Sequence, residues 1–198
     1  QPFTANNFDL GLEWYFSGDG ILAANVFYKD IDGLIDTASF TEVRSFPRQS
    51  DGVIVQGPIV FTTFENGASA KIKGAEFIYQ QPFSFLPEPF NAFGWQSNLT
   101  WIDYKRDIED PFTTVVSSMM AEETSRLSYN ATLYYEQDQW SARISYNFRE
   151  NYIKEYLNKY KDESSFGRGY GDKGQLNFSS RYEINDNLSL SFEAINLT

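Results

Sequence analysis

Trp140-Ser141-Ala142-Arg143-Ile144-Ser145-Tyr146-Asn147-Phe148-Arg149 is the most regular stretch of the chain. Trp140, Ala142, Ile144, Tyr146 and Phe148 alternate without interruption with Ser141, Arg143, Ser145, Asn147 and Arg149. A period of two puts rings and aliphatics on one face of a strand and polar groups on the other. Just upstream, Tyr129, Ala131, Leu133 and Tyr135 alternate with Ser128, Asn130, Thr132, Tyr134 and Glu136, and only Gln137-Asp138-Gln139 separates the two runs. The pair therefore reads as a hairpin.

The same pattern continues outward in both directions. Phe8, Leu10, Leu12, Trp14 and Phe16 oppose Asn7, Asp9, Gly11, Glu13 and Tyr15, and Leu22, Ala24, Val26 and Tyr28 oppose Ala23, Asn25, Phe27 and Lys29. Ala75, Phe77 and Tyr79 oppose Gly74, Glu76 and Gln80, and Trp95, Ser97, Leu99 and Trp101 oppose Gln96, Asn98 and Thr100. Towards the end, Leu176, Phe178, Ser180 and Tyr182, then Leu188, Leu190, Phe192 and Ala194, lie opposite Gln175, Asn177, Ser179 and Arg181, then Ser189, Ser191 and Glu193. Eight strands result. Tight connections at Ser17–Gly20, Ser84–Phe93, Gln137–Gln139 and Asn185–Asn187 close four hairpins, while long segments at about Asp36–Gly67, Arg106–Glu123 and Lys154–Lys173 join one hairpin to the next. In an up-and-down sheet this alternation puts every short turn at one end and every long loop at the other, as in outer-membrane barrels.

Composition narrows the function. Aromatics at 18% of 198 residues favour strands. With no cysteine and no histidine, neither a disulfide framework, nor a Ser-His-Asp or Cys-His catalytic unit, nor the usual zinc site can be assembled. No catalytic residue, metal ligand or cofactor is expected, since Glu13, Glu76 and Glu193 show no spacing that pairs an acid with a base. The net charge of −11, with no basic run, argues against a nucleic-acid partner. No stretch is long and apolar enough for a membrane helix, and the first residues lack the basic and apolar regions of a secretory signal, which suggests a mature protein or an internal fragment.

Alternation alone also fits a soluble sandwich, whose inner face is apolar. Two features favour lipid. Several strands run to about ten residues, enough to cross a bilayer at a tilt. The apolar-face rings also gather towards strand ends, with Phe16, Trp95, Tyr135, Trp140 and Tyr182 near the short turns and Phe8, Tyr28, Trp101, Tyr129 and Phe148 near the long loops. Leu12, Ala24, Ala131, Leu133, Ala142, Ile144 and Leu190 fill the middle, giving two interfacial belts around an aliphatic band. The fold class is then all-β: an antiparallel up-and-down transmembrane β-barrel wall with outer-membrane lipid on its apolar side. Its polar side would line a lumen through Glu13, Lys29, Glu76, Asn98, Asn130, Arg143, Arg149, Arg181 and Glu193. Five Asn-X-Ser/Thr triplets, at Asn98, Asn130, Asn177, Asn187 and Asn196, follow from polar alternation on such a face and need no glycosylation. The first strand runs into a short turn and the last runs out of one, so both ends fall on the long-loop side. Complete bacterial barrels keep both ends at the short-turn side, so the chain reads as an arc of a larger barrel.

Asn7-Phe8-Asp9-Leu10-Gly11-Leu12-Glu13-Trp14-Tyr15-Phe16 with Gly20 to Ile31, Lys73-Gly74-Ala75-Glu76 with Tyr79-Gln80-Gln81-Pro82-Phe83 and Phe85-Leu86-Pro87, Ser128 to Glu136, and Glu193-Ala194-Ile195-Asn196-Leu197-Thr198 together resemble the barrel strands of TonB-dependent outer-membrane receptors. The resemblance covers nearly the whole chain outside the long loops and makes residues 1–198 a late part of such a barrel domain. It implies a barrel of about 22 strands closed by an N-terminal plug, located in the outer membrane of a Gram-negative bacterium. It also implies uptake of a scarce small nutrient, a carbohydrate or a ferric siderophore-like chelate, using energy delivered by TonB. The plug and the TonB-contacting region are absent from this sequence, so the remainder of the barrel and plug become expected partners. A passive porin segment or a soluble β-sandwich binding module are the alternatives. Within the outer loops, Tyr156, Tyr160, Phe166, Arg168 and Tyr170 suit stacking on, and hydrogen bonding to, such a ligand. Asp107, Glu109, Asp110, Glu122 and Glu123 form an acidic cluster read as solvated rather than as a cation site.

Overall fold

The computed structural model describes residues 2–16, 18–109, 116–156 and 167–198. Eleven strands occur among these residues: β1 (Thr4–Phe16), β2 (Gly20–Pro47), β3 (Ile54–Pro82), β4 (Phe93–Glu109), β5 (Val116–Met120), β6 (Leu127–Gln137), β7 (Trp140–Arg149), β8 (Tyr152–Tyr156), β9 (Gly167–Tyr170), β10 (Lys173–Asn185) and β11 (Leu188–Ala194). Eight of them form one antiparallel sheet in the order β1-β2-β3-β4-β6-β7-β10-β11, so every wall strand pairs with its neighbours in sequence. β5 pairs with the end of β4, and β8 pairs with β9 as a separate ribbon. The sheet is open, with β1 and β11 at its two edges. The eight expected wall strands and the division into short and long connections are those of the structure.

The ladder register shows which residues share a face. Leu12 pairs with Ala24, Ala24 with Phe77, Phe77 with Leu99, Leu99 with Tyr129, and Tyr129 with Phe148, so one apolar row crosses six strands. Among the described residues that face covers nothing. Leu12 is 73% exposed and Leu190 65%, and among the described residues only Gly20, Ala70, Gly74, Gln81, Gly94 and Ala121 are buried. A sandwich would hide its apolar face against a second layer, and among the described residues no such layer covers this one.

Close packing in this single layer is done by rings lying over glycines. Phe27 pairs across the ladder with Gly74, and Tyr134 with Gly94, and both glycines are buried although each sits in a one-layer sheet. A Cβ built at Gly74 would lie 2.5 Å from the Phe27 ring and 2.5 Å from the Trp101 carbonyl oxygen. The ring can swing, but the carbonyl belongs to the β3–β4 ladder and cannot. Gly74→Ala is therefore expected to destabilise the barrel by about 1 kcal/mol or more, measured as a lower unfolding midpoint.

One expectation needs correction. Residues 36–67, read as a loop, are mostly strand, because β2 and β3 continue past the wall as a two-stranded ribbon paired from Leu34/Ala68 to Pro47/Ile54. At about 3.4 Å per residue the ribbon projects roughly 45 Å beyond the wall. Its sequence is rich in β-branched and aromatic residues, including Val43, Val53, Ile54, Val60 and Phe61, and Phe40 stacks on Phe61 at 5.6 Å with the Arg44 guanidinium 4.7 Å over the same ring. Turn residues and charges elsewhere in the segment masked that signal. The ribbon leaves the wall at a register shift around Gly33, whose φ of +75° permits the bulge and whose carbonyl accepts a 2.8 Å hydrogen bond from the Asn66 side chain. Shorter corrections apply to the other long segments, which hold β5 and the β8–β9 pair.

The ribbon tip is closed by Arg48 and Asp51. The guanidinium donates from Nε to Asp51 Oδ1 at 3.0 Å and pairs with the second oxygen, while the Val53 amide donates to Oδ1 at 3.2 Å. Arg48 foremost, and then the Val53 amide, hold the Asp51 carboxyl below the usual carboxylate range. A depressed folded-state value means the stabilisation is present above the unfolded value, about 3.9, and is lost as pH falls through the lower folded value. Amide protection at residues 48–53 is expected to hold at pH 5 and to fall steadily below about pH 4.

Candidate functional site

The same register that lines up the apolar rows brings the nine expected lumen residues onto the opposite face. Glu13 pairs with Ala23, Ala23 with Ile78, Ile78 with Asn98, and Asn98 with Asn130. Lys29, Glu76, Arg143, Arg149, Arg181 and Glu193 occupy parallel rows of that face. Asn130 donates to the Asn98 side-chain oxygen at 3.0 Å, and Arg143 pairs with Glu136 at 2.7 Å. Towards the short turns Arg181 lies 3.5 Å from Glu183, and Arg143, Arg181, Glu136 and Glu193 surround a shallow hollow of about 300 Å³ floored by serines. Two ion pairs, Arg143–Glu136 and Arg181–Glu183, thus match charges on this side of the wall.

A more enclosed cavity of about 310 Å³ lies at the long-loop end of the polar face. β4 contributes Tyr104 and Arg106, whose ladder partners Ile72 and Ala70 continue the inward rows, and β8 contributes Lys154 and Tyr156. The end of β5 and the residues that follow it supply Met120 to Glu123 as its floor. Backbone bonds fix that floor from both sides: the Ala121 amide donates to the Tyr104 carbonyl at 2.9 Å and the Glu123 amide to the Ile153 carbonyl at 2.7 Å. Tyr156 is the latch. Its hydroxyl donates to the Met120 carbonyl at 2.9 Å and its amide to Glu122 Oε1 at 2.9 Å. Burial chiefly, with Glu122 adding to it, pushes the Tyr156 phenol above the usual tyrosine value, so it remains a hydroxyl donor at physiological pH.

Arg149, at the end of β7, ties this layer to the wall. It donates from Nε to Ser125 Oγ at 2.8 Å and from a terminal nitrogen to the Glu123 carbonyl at 2.9 Å, and its guanidinium lies 3.9 Å over the Tyr152 ring. The β8–β9 ribbon is held by the Tyr152–Tyr170 ring pair at 5.4 Å and by Asp172, which accepts the Asn151 amide at 2.7 Å. Of the expected ligand contacts, Tyr156 lines the cavity. Arg168 is spent on Glu155 at 3.3 Å and Tyr170 on Tyr152, both beside the cavity rather than in it. Tyr160 and Phe166 lie outside the described residues. In the acidic cluster, Asp107 accepts a hydrogen bond from Ser69 at 2.9 Å and Glu122 faces Tyr156. Tyr104, Arg106 and Lys154 were not anticipated as site residues. The available signal for the first two was the inward parity of Thr100 and Ile102 carried two and four positions further.

A wall apolar outside and polar inside, with short turns at one end and a pocketed loop layer at the other, is an arc of a transmembrane β-barrel. The chain belongs to the TonB-dependent receptor family: the family described as TonB dependent receptor-like, beta-barrel, matches residues 1–197. Solved structures agree on the fold. The siderophore receptor PirA of Acinetobacter baumannii superposes with a TM-score of 0.69 at 18% identity over 100% of this chain and 28% of that one. A mutant of the ferric enterobactin receptor PfeA of Pseudomonas aeruginosa, in complex with enterobactin, gives 0.67 at 19% identity over 98% of this chain and 26% of that one. The ferric-catecholate import receptor Fiu of E. coli gives 0.64 at 15% identity over 100% and 24%. The chain thus spans about a quarter of the length of these receptors. Curated proteins give no match.

Proposed function

We propose that this chain is the wall and outer-loop portion of a Gram-negative outer-membrane uptake receptor, residues 1–198 being one part of its barrel domain, driven by TonB through a plug outside this sequence. We further propose that the cavity under Tyr156 contributes to its nutrient site, with Arg168 and Tyr170 at its margin. The observation that carries the choice of cargo is the cavity's charge balance: Arg106 and Lys154, Glu122 and Glu123, and Tyr104 and Tyr156 all line it. Carboxylates, cations and rings in equal measure suit a neutral, hydroxyl-rich ligand, which takes donors and acceptors from both signs and stacks its apolar ring faces on tyrosine. A ferric tris-catecholate, trianionic, calls for a cationic surplus instead. The chain's net charge of −11 runs against it as well. The carbohydrate reading is therefore preferred over the siderophore reading, although the structural relatives are siderophore receptors.

Calorimetric titration of the full-length receptor with neutral oligosaccharides and with a ferric catecholate tests this. Saccharide binding is expected, weakened roughly tenfold or more by Tyr156→Ala. Tight binding of the ferric chelate with no saccharide response would overturn the cargo. Uptake that persists without TonB would restore the porin alternative.

A further inference from the structure

Both strands of the ribbon beyond the wall carry one extra residue at its base, β2 between Ile31 and Leu34 and β3 between Ala68 and Asn66. A one-residue insertion exchanges the two sides of a strand. Odd-numbered residues of β2 and even-numbered residues of β3, inward in the wall, therefore continue the outward side in the ribbon. That side holds Thr41, Val43, Ser45 and Pro47 across the ladder from Val60, Pro58, Gln56 and Ile54, with Thr62 and Phe64 nearer the base. None of them is charged, in a chain with 22% charged residues. Val43, Ile54, Val60 and Phe64 are each at least 66% exposed. The opposite side is occupied by its own residues: Phe40 stacks on Phe61, and Arg44 lies over that ring and pairs with Glu42 at 2.8 Å. Both sides thus carry apolar residues, but among the described ones only the opposite side and the Arg48–Asp51 tip carry charge.

A run of exposed apolar side chains standing in water marks an interaction surface. We propose that the outward side of the ribbon, centred on the diagonal neighbours Val43 and Val60, is where two copies of the receptor pair. Charge selects the occupant. Two copies share this chain's net charge of −11 and meet without repulsion only where neither presents charge, whereas an oppositely charged partner would find nothing here to pair with. The cavity-bearing loop layer gathers on the inward side and leaves this one open. Copies held in one membrane pair about a two-fold axis along its normal, so the level on that axis meets itself. At the Val43–Pro58 level this sets Val43 against the partner's Pro58, apolar on apolar. With strands about 4.8 Å apart and about 3.4 Å per residue, the face measures roughly 10 Å by 35 Å and buries at most about 700 Å² in a pair. That is the area of a weak association, helped by a bilayer that fixes the height and tilt of both copies before they meet. The proposal rests on the reading of the chain as part of an outer-membrane receptor.

The test uses the full-length receptor, labelled with donor or acceptor dye and reconstituted in lipid vesicles over a range of protein-to-lipid ratios. Energy transfer above the random-collision level is expected. Apparent association should fall about tenfold or more in Val43→Glu/Val60→Glu, which sets carboxylates against carboxylates across the axis, and equally in Val43→Lys/Val60→Lys. Mixing the two variants should restore pairing, an outcome that misfolding cannot produce. Thr63→Glu adds a carboxylate to the opposite side of the ribbon and should leave pairing unchanged. Transfer at the random-collision level in the unmodified receptor overturns the inference, as does undiminished pairing in the glutamate variant or a mixture that fails to recover. Recovery of the receptor in the outer-membrane fraction keeps the two claims separable. If it is absent there, the receptor reading fails. If it is present but does not pair through this face, this inference alone fails.

Discussion

Ile144→Arg is expected to cost the barrel about 2–4 kcal/mol, while Ser145→Arg, one residue along the same strand, should cost little. Ile144 sits mid-strand in a row running from Leu133 to Phe178, 41% exposed on the apolar face, with Trp140 towards the short turn and Phe148 towards the loops. An arginine there must carry its guanidinium into hydrocarbon or drag it to an interface. Ser145 lies between Thr132 and Asn177 on the polar face, where Arg143 and Arg149 are already accommodated. Urea unfolding of the full-length receptor reconstituted in lipid vesicles measures both. Similar losses from the two substitutions would mean the faces have been assigned wrongly. The contrast matters more than either value, because the variants share the strand and the charge added and lie one residue apart.

Most of the wall was legible in the sequence because a one-layer sheet gives each residue a single choice, out or in, and the choice is written at every second position. From Phe8 to Phe16 and from Trp140 to Phe148 the alternation never breaks, and the ladder confirms it pair by pair. The ribbon of residues 34–68 was not legible for a related reason. Beyond the wall neither face has a bilayer or a lumen to answer to, so Val43 and Phe64, 70% and 77% exposed, carry no binary pattern. The cavity was legible in part. Tyr156 was marked by its company of loop aromatics, but its role depends on reaching the Met120 carbonyl across 36 residues of chain. Arg106 fell in the segment read as loop because Asp103 and Lys105, outward neighbours of Tyr104 and Arg106, are charged where an apolar residue signals a strand. Those charges mark the level at which the outward face leaves hydrocarbon, not the end of the strand.

Arg149→Ala is expected to loosen the loop layer and weaken ligand binding by tenfold to about a hundredfold while leaving the wall assembled. The side chain makes two charge-assisted hydrogen bonds, to Ser125 Oγ and the Glu123 carbonyl, and a cation–π contact with Tyr152. Bonds to a charged donor contribute roughly 1.5–3 kcal/mol, discounted here because the guanidinium is exposed, and the loss falls on residues 123–125 and 152 rather than on the β-ladder. Arg149 is a positioning residue: it holds Glu123, at the cavity floor, against β8. Lysine keeps the charge but lacks the planar fork that reaches two acceptors while stacking on a ring, so Arg149→Lys should recover only a small part of the affinity. Two readouts separate positioning from a general loss of fold. Amide exchange should rise at residues 121–126 and 152–156 and stay unchanged along β6 and β7, and the midpoint of global unfolding should barely move. If exchange in the wall strands rises as well, Arg149 supports the sheet rather than the site. If lysine restores binding completely, charge alone is what the cavity requires.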